Sequence, residues 1–113
     1  MKIYDVAVEN REGYCSEASC LQDYELDYVR KHEFDWFVYA YYVDYYEGDG
    51  EGVAYKDGKL YFYGFSHCSC YGAIEDSSLG APVSVEDYLN SVDIHDTDCQ
   101  YKEVRDKVLE LLQ

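Results

Sequence analysis

The sequence predicts an α+β domain, a three- to four-stranded antiparallel sheet flanked by about three helices, and three observations predict it. The run FDWFVYAYYVDYY over 34–46 is dense in aromatic and β-branched residues, which fit a pleated sheet and crowd a helix. The segment VAYKDGKLYF places Asp57-Gly58 between two strand-like halves, the pattern of a type I′ hairpin. Near the C-terminal end, Tyr101, Val104, Val108, Leu111 and Leu112 recur at helical spacing. A single domain over 1–113 is expected, because a chain of this length buries roughly two-thirds of its unfolded surface around one core.

Each element has a local reason. Residues 2–8, KIYDVAV, are β-prone and read as a first strand, which Asn10 to Gly13 breaks. Ser19 is placed to cap a helix over 20–32, with Leu21, Tyr24, Tyr28 and Val29 marking one side and Asp23, Glu25, Asp27 and Arg30 the others. In the 34–46 strand both alternating sets are apolar: Trp36, Val38, Ala40 and Tyr42 on one, Phe37, Tyr39, Tyr41 and Val43 on the other. It is therefore expected to be covered on both sides, by a helix on one face and by tyrosines on the second.

The glycine-rich EGDGEG at 47–52 reads as a turn. The two-residue loop at Asp57-Gly58 then fixes a register in which Lys56 faces Lys59, Tyr55 faces Leu60, Ala54 faces Tyr61 and Val53 faces Phe62. Val53, Tyr55, Leu60 and Phe62 share one face, and Tyr61 and Tyr63 take the other. Strands 34–46, 53–56 and 59–66 form a meander. Residues 75–83 read as loop, ending at Pro82, the only proline. Ser84 followed by Asp87 makes a capping-box pattern that opens a short helix over 85–91. Asp93 to Asp98 is an acidic connection, and Thr97 or Asp98 is placed to cap the last helix.

The charge bounds the function. With 24 Asp+Glu against 9 Lys+Arg the net charge is −15 on 113 residues, accompanied by 15 tyrosines. Nucleic acids and anionic bilayers are bound by clustered Lys/Arg, and no basic run occurs, so neither direct nucleic-acid binding nor membrane binding is expected. Disordered acidic chains are poor in aromatics, whereas this one is 48% hydrophobic and 18% aromatic and is expected to fold. The first residues carry no apolar run of signal-peptide length, and no later stretch reaches the length of a membrane span, the pattern of a soluble cytoplasmic protein. Five cysteines, Cys15, Cys20, Cys68, Cys70 and Cys99, are an odd number and read as free thiols.

The segment His67-Cys68-Ser69-Cys70-Tyr71-Gly72 looks most like a chemical site. It offers at most three zinc ligands close together, and C-x-C is not the C-x2-C knuckle. Cys99, His95 or the pair Cys15/Cys20 are the available fourth ligands, but no second motif has metal-ligand spacing, so a tight strand exit with small thiols is the simpler reading. A Cys68 or Cys70 nucleophile paired with His67 is disfavoured, because reactive thiolates sit in electropositive surroundings. Glu47, Asp49 and Glu51 with Gly52 match the first half of a calcium loop, yet its twelfth position would be Gly58 and not Glu. No catalytic residue, metal or cofactor is predicted.

The run YYEGDGEGVAYKDGKLYFYGFSHCSCYG (45–72) resembles a pattern in small bacteriophage accessory proteins: an acidic-glycine turn, a D-G or N-G hairpin, then HCSCYG. The resemblance covers about a quarter of the chain. It implies a non-enzymatic inhibitor of host nucleic-acid-binding machinery, of the anti-CRISPR or anti-restriction type, acting in the host cytoplasm on a basic host defence protein and imitating the charge of DNA. The residues independently suit that role. Asp23/Glu25/Asp27, Asp44/Glu47/Asp49/Glu51 and Asp93/Asp96/Asp98 are clusters able to supply an anionic face, and Tyr39, Tyr41, Tyr61 and Tyr63 a tyrosine contact surface. The rival readings are a small scaffold protein whose acidity serves solubility, and an enzyme or zinc module centred on His67, Cys68 and Cys70.

Overall fold

The computed structural model describes residues 1–9, 17–44, 47–67, 80–93, 95 and 101–113, with His67 described for its backbone only. Among them are six strands and three helices: β1 (Lys2–Asp5), β2 (Glu17–Ser19), α1 (Asp23–Arg30), β3 (Trp36–Asp44), β4 (Glu47–Lys56), β5 (Lys59–His67), β6 (Val83–Ser84), α2 (Val85–Ser91) and α3 (Lys102–Leu111). The class is α+β, but the sheet is larger than the sequence predicts and is mixed. Its order is β1-β3-β4-β5-β6, and β2 also pairs with β3.

The departure from an antiparallel meander lies at one edge of β3. β4 occupies one side of β3 along its whole length, with Trp36 opposite Tyr55 and Asp44 opposite Glu47. On the other side β1 runs parallel, Lys2 opposite Trp36 and Asp5 opposite Tyr39, and β2 runs antiparallel, Glu17 opposite Val43 and Ser19 opposite Tyr41. Two short strands thus share one edge end to end. Parallel neighbours need a crossover connection, and α1 lies within it.

The hairpin forms in the predicted register, Lys56 opposite Lys59 through Val53 opposite Phe62. Asp57 (φ 53°) and Gly58 (φ 77°) both have the positive φ that a type I′ turn requires. EGDGEG is not a turn, however: β4 begins at Glu47, and the run is extended strand paired with β3 and β5. Its strict alternation has a packing cause. Gly52 sits beneath Phe37 and Phe65, and a Cβ there would lie 2.6 Å from Phe37 Cε1 and 2.8 Å from Phe65 Cζ, too close for any side chain. A Cβ on Gly48 would strike the Tyr41 ring.

Two apolar layers follow. On one face Phe37, Tyr39, Tyr41, Ala54, Tyr63 and Phe65 pack with Leu21, Phe34 and the α1 residues Leu26 and Val29. On the other, Val38, Ala40, Tyr42, Val53 and Leu60 pack with Val104 and Val108 of α3, and Val85 and Tyr88 of α2 join them. Helices therefore lie on both faces, where a tyrosine surface was expected on one. The first strand is shorter than 2–8. Helix α1 starts at Asp23 rather than near 20: its N-cap position is Gln22, whose N–H is accepted by Glu25 Oε1 (2.9 Å), while Ser19 pairs within the sheet. The predicted cap of α2 is present, Ser84 Oγ accepting the Asp87 N–H at 3.1 Å. Helix α3 has Tyr101 at its N-cap position; Thr97 and Asp98, predicted for that role, lie outside the described residues.

Candidate acidic binding face

Alternation in β4 sorts its side chains. The glycines 48, 50 and 52 face the α1 layer, so Glu47, Asp49 and Glu51 face the α3 layer, where Asp44, Tyr42 and Ala40 are their cross-strand neighbours. The structure thus brings Asp44, Glu47, Asp49 and Glu51 to one face as a ladder. Its members differ in exposure. Glu47 is exposed, Asp44, Asp49 and Glu51 are half-buried, and the first turn of α3 lies against the inner rungs.

Two tyrosines tie that turn down. Tyr101 Oη donates to Asp49 Oδ2. The fully buried Tyr42 donates from Oη to Glu103 Oε1 (2.6 Å) and accepts the Val8 N–H (3.1 Å). Burial pushes the Glu51 carboxyl above the ordinary carboxylate range, and the Glu103 charge adds to the effect. Glu103, Tyr42 and Tyr101 belong to this face, although sequence reasoning did not assign them to it. At the end of the sheet where Asp44 meets Glu47, exposed Glu17 stands opposite Val43 and so faces the α1 layer, which leaves Asp44, Glu47, Asp49 and Glu51 as the carboxylates of this face.

The other expected groups are distributed differently. Tyr39, Tyr41 and Tyr63 are 3%, 5% and 2% exposed and Tyr61 is half-buried, so these rings belong to the α1 layer and do not form an outer contact surface. Burial pushes the Tyr39 and Tyr63 phenols up to about 12. Glu25 is buried, and Arg30 lies 2.8 Å from Asp27 and 3.8 Å from Asp23, so the α1 acidic group is partly neutralised. Asp93 is exposed and its carboxylate accepts the His95 N–H, whereas Asp96 and Asp98 lie outside the described residues. So do the His67 side chain, Cys15, Cys68, Cys70 and Cys99. Among the described residues no group of three or more His, Cys, Asp or Glu could hold a metal ion.

Comparison with known proteins adds no relative: no family model, no curated protein and no solved structure matches the chain. Among the described residues no helix is long and apolar enough to cross a membrane. Cys20, the one cysteine described, is exposed and its Sγ donates to Asp5 Oδ2 at 3.3 Å. That bond, the Asp5 charge and partial burial raise the thiol pKa, the opposite of what a nucleophile needs.

Proposed function

We propose that the chain is a non-enzymatic inhibitor of the phage type, anti-CRISPR or anti-restriction, which binds a basic nucleic-acid-binding surface on a host defence protein through the acidic end of its sheet. The observation that carries the reading is the ladder of Asp44, Glu47, Asp49 and Glu51 on one face of the sheet, on a chain of net charge −15. Like charges directly opposite one another on paired strands cost stability, and Asp44 stands opposite Glu47. A Lys/Arg surface on a partner offsets that cost on binding.

Spacing limits the kind of mimicry. Alternate positions on a strand are about 6.8 Å apart, against one phosphate per about 3.4 Å along each DNA strand. The ladder therefore has about half the linear charge density of one DNA strand, and Asp44 and Glu103 beside it make up part of the difference. It imitates an anionic patch and not a phosphate-by-phosphate backbone.

The test is capture from a bacterial lysate at low ionic strength, elution with duplex DNA, and titration of the eluted protein with variants. Asp44→Lys with Glu47→Lys is expected to weaken binding at least about tenfold, whereas Asp35→Lys with Glu86→Lys, equal in charge, costs less than about threefold. Equal losses from both pairs would assign the acidity to solubility and long-range steering.

A further inference from the structure

We propose that the seat of α3 on the sheet is a charge-sensitive clamp: neutralising Glu51, by protons or by screening cations, tightens the helix against β3 and β4. Two hydrogen bonds hold the first turn of the helix from opposite directions, Tyr101 Oη to Asp49 on β4 and Tyr42 Oη on β3 to Glu103. Glu51 shares that face, half-buried opposite Ala40, where burial and, after it, the Glu103 charge disfavour its ionised form. Among the described residues no ion pair reaches Glu51 or Glu103. The helix is held by these two hydrogen bonds and opposed by the half-buried Glu51 charge on the face it covers.

The groups facing Glu51 can be named element by element. From β4 they are Glu47 and Asp49, from β3 Tyr42 and Asp44, and from α3 Tyr101 and Glu103; β5 contributes Gly64 opposite Glu51 and Ser66 opposite Asp49. Two α3 cations are drawn to other partners. Arg105 donates to the Asp93 carbonyl (2.9 Å) and pairs with Asp106 (3.1 Å). Lys107 lies over the Tyr4 ring (4.7 Å) and pairs with Glu110 (3.3 Å). Lys102 is exposed. Below the first turn the contact is apolar, through Val104 and Val108, so charge regulates the end of the helix while burial retains its body.

The direction of the effect follows from linkage. The folded Glu51 carboxyl keeps its proton to higher pH than the ordinary 4.5, so within that window the folded state binds more protons than the unfolded state. The stabilisation is complete below 4.5 and is lost as pH rises through the folded value. Salt moves the clamp in the same direction by screening the two carboxylates. Protons alone operate it, with no partner present. A failed capture experiment therefore leaves it standing, and a failed clamp leaves the partner reading standing.

Hydrogen exchange of the full chain tests the clamp, with the α1 amides as internal reference for the general relief of charge repulsion. After correction for intrinsic rates, protection of the α3 amides relative to α1 is expected to be about threefold or more higher near pH 5 than near pH 8. Glu51→Gln should give the high protection already at the upper pH and flatten the profile, whereas Asp35→Asn, which removes the same charge elsewhere, should not. Parallel changes in α1 and α3, or a wild-type profile in Glu51→Gln, would overturn the proposal.

Discussion

Tyr42 Oη donates to Glu103 Oε1 at 2.6 Å across 61 residues of sequence, joining the central strand to the last helix from inside the core. The same oxygen accepts the Val8 N–H. One hydroxyl therefore ties together the segment after β1, β3 and α3. Hydrogen bonds to charged groups are worth about 1.5–3 kcal/mol, so Tyr42→Phe is expected to lower the unfolding free energy by about 2 kcal/mol in chemical denaturation. Glu103→Gln keeps an acceptor and should cost less.

Tyr63 is the converse case. Among the described residues its buried hydroxyl has no partner, and the ring packs against Phe34 and Phe37. Burying a hydroxyl unpaired costs about 1–3 kcal/mol. Tyr63→Phe keeps the ring and is expected to be neutral or to stabilise by up to about 1 kcal/mol, so a loss comparable to that of Tyr42→Phe would contradict this account.

Gly52 tests whether EGDGEG is a strand under aromatic cover. Gly52→Ala drives a methyl into Phe37 and Phe65 and should cost about 1–3 kcal/mol through overpacking. Gly64→Ala, on the adjacent strand, meets nothing within 4 Å among the described residues and should be tolerated or slightly stabilising, since it removes unfolded-chain freedom. Thermal or denaturant midpoints of the two variants decide the point.

Asp5 controls the Cys20 thiol. Asp5→Asn removes the charge that raises the thiol pKa, so alkylation at Cys20, followed by peptide mass spectrometry against pH, is expected to shift to lower pH and run faster near neutrality. An unchanged pH profile would mean that Asp5 does not set the reactivity.

What the sequence disclosed and what it hid separate along physical lines. The Asp57-Gly58 turn and the register it imposes were legible because two residues with positive φ leave one way to pair the strands. Ser84 was legible because capping is local. EGDGEG reads as a turn when its glycines count as punctuation, whereas its period of two, with Glu47, Asp49 and Glu51 on one side, is the strand signal. β2 was hidden because Glu17–Ser19 is three residues long and has little β-propensity, and the β1–β3 pairing because parallel partners are distant in sequence. The alternation of β3 placed Tyr39 and Tyr42 on opposite faces but carried no information on depth. Neither the burial of Tyr39 nor the reach of Tyr42 to Glu103 was therefore available before the helices were in place.

The shared edge of β3 bears on how the protein stays out of fibrils. Phe37 to Val43 is a seven-residue run with no charge, no proline and high β-propensity, the composition that stacks into cross-β aggregates when an edge is open. β4 closes one side of it, and the other is closed by two guards of different origin: β1 from the start of the chain over Trp36–Tyr39, and β2 over Tyr41–Val43. Either guard lost, by proteolysis near the N-terminus or by detachment of β2, opens half of that edge as a template for another chain. The repulsion among molecules of net charge −15 is the remaining barrier, so low pH or a polycation removes both solubility and protection at once.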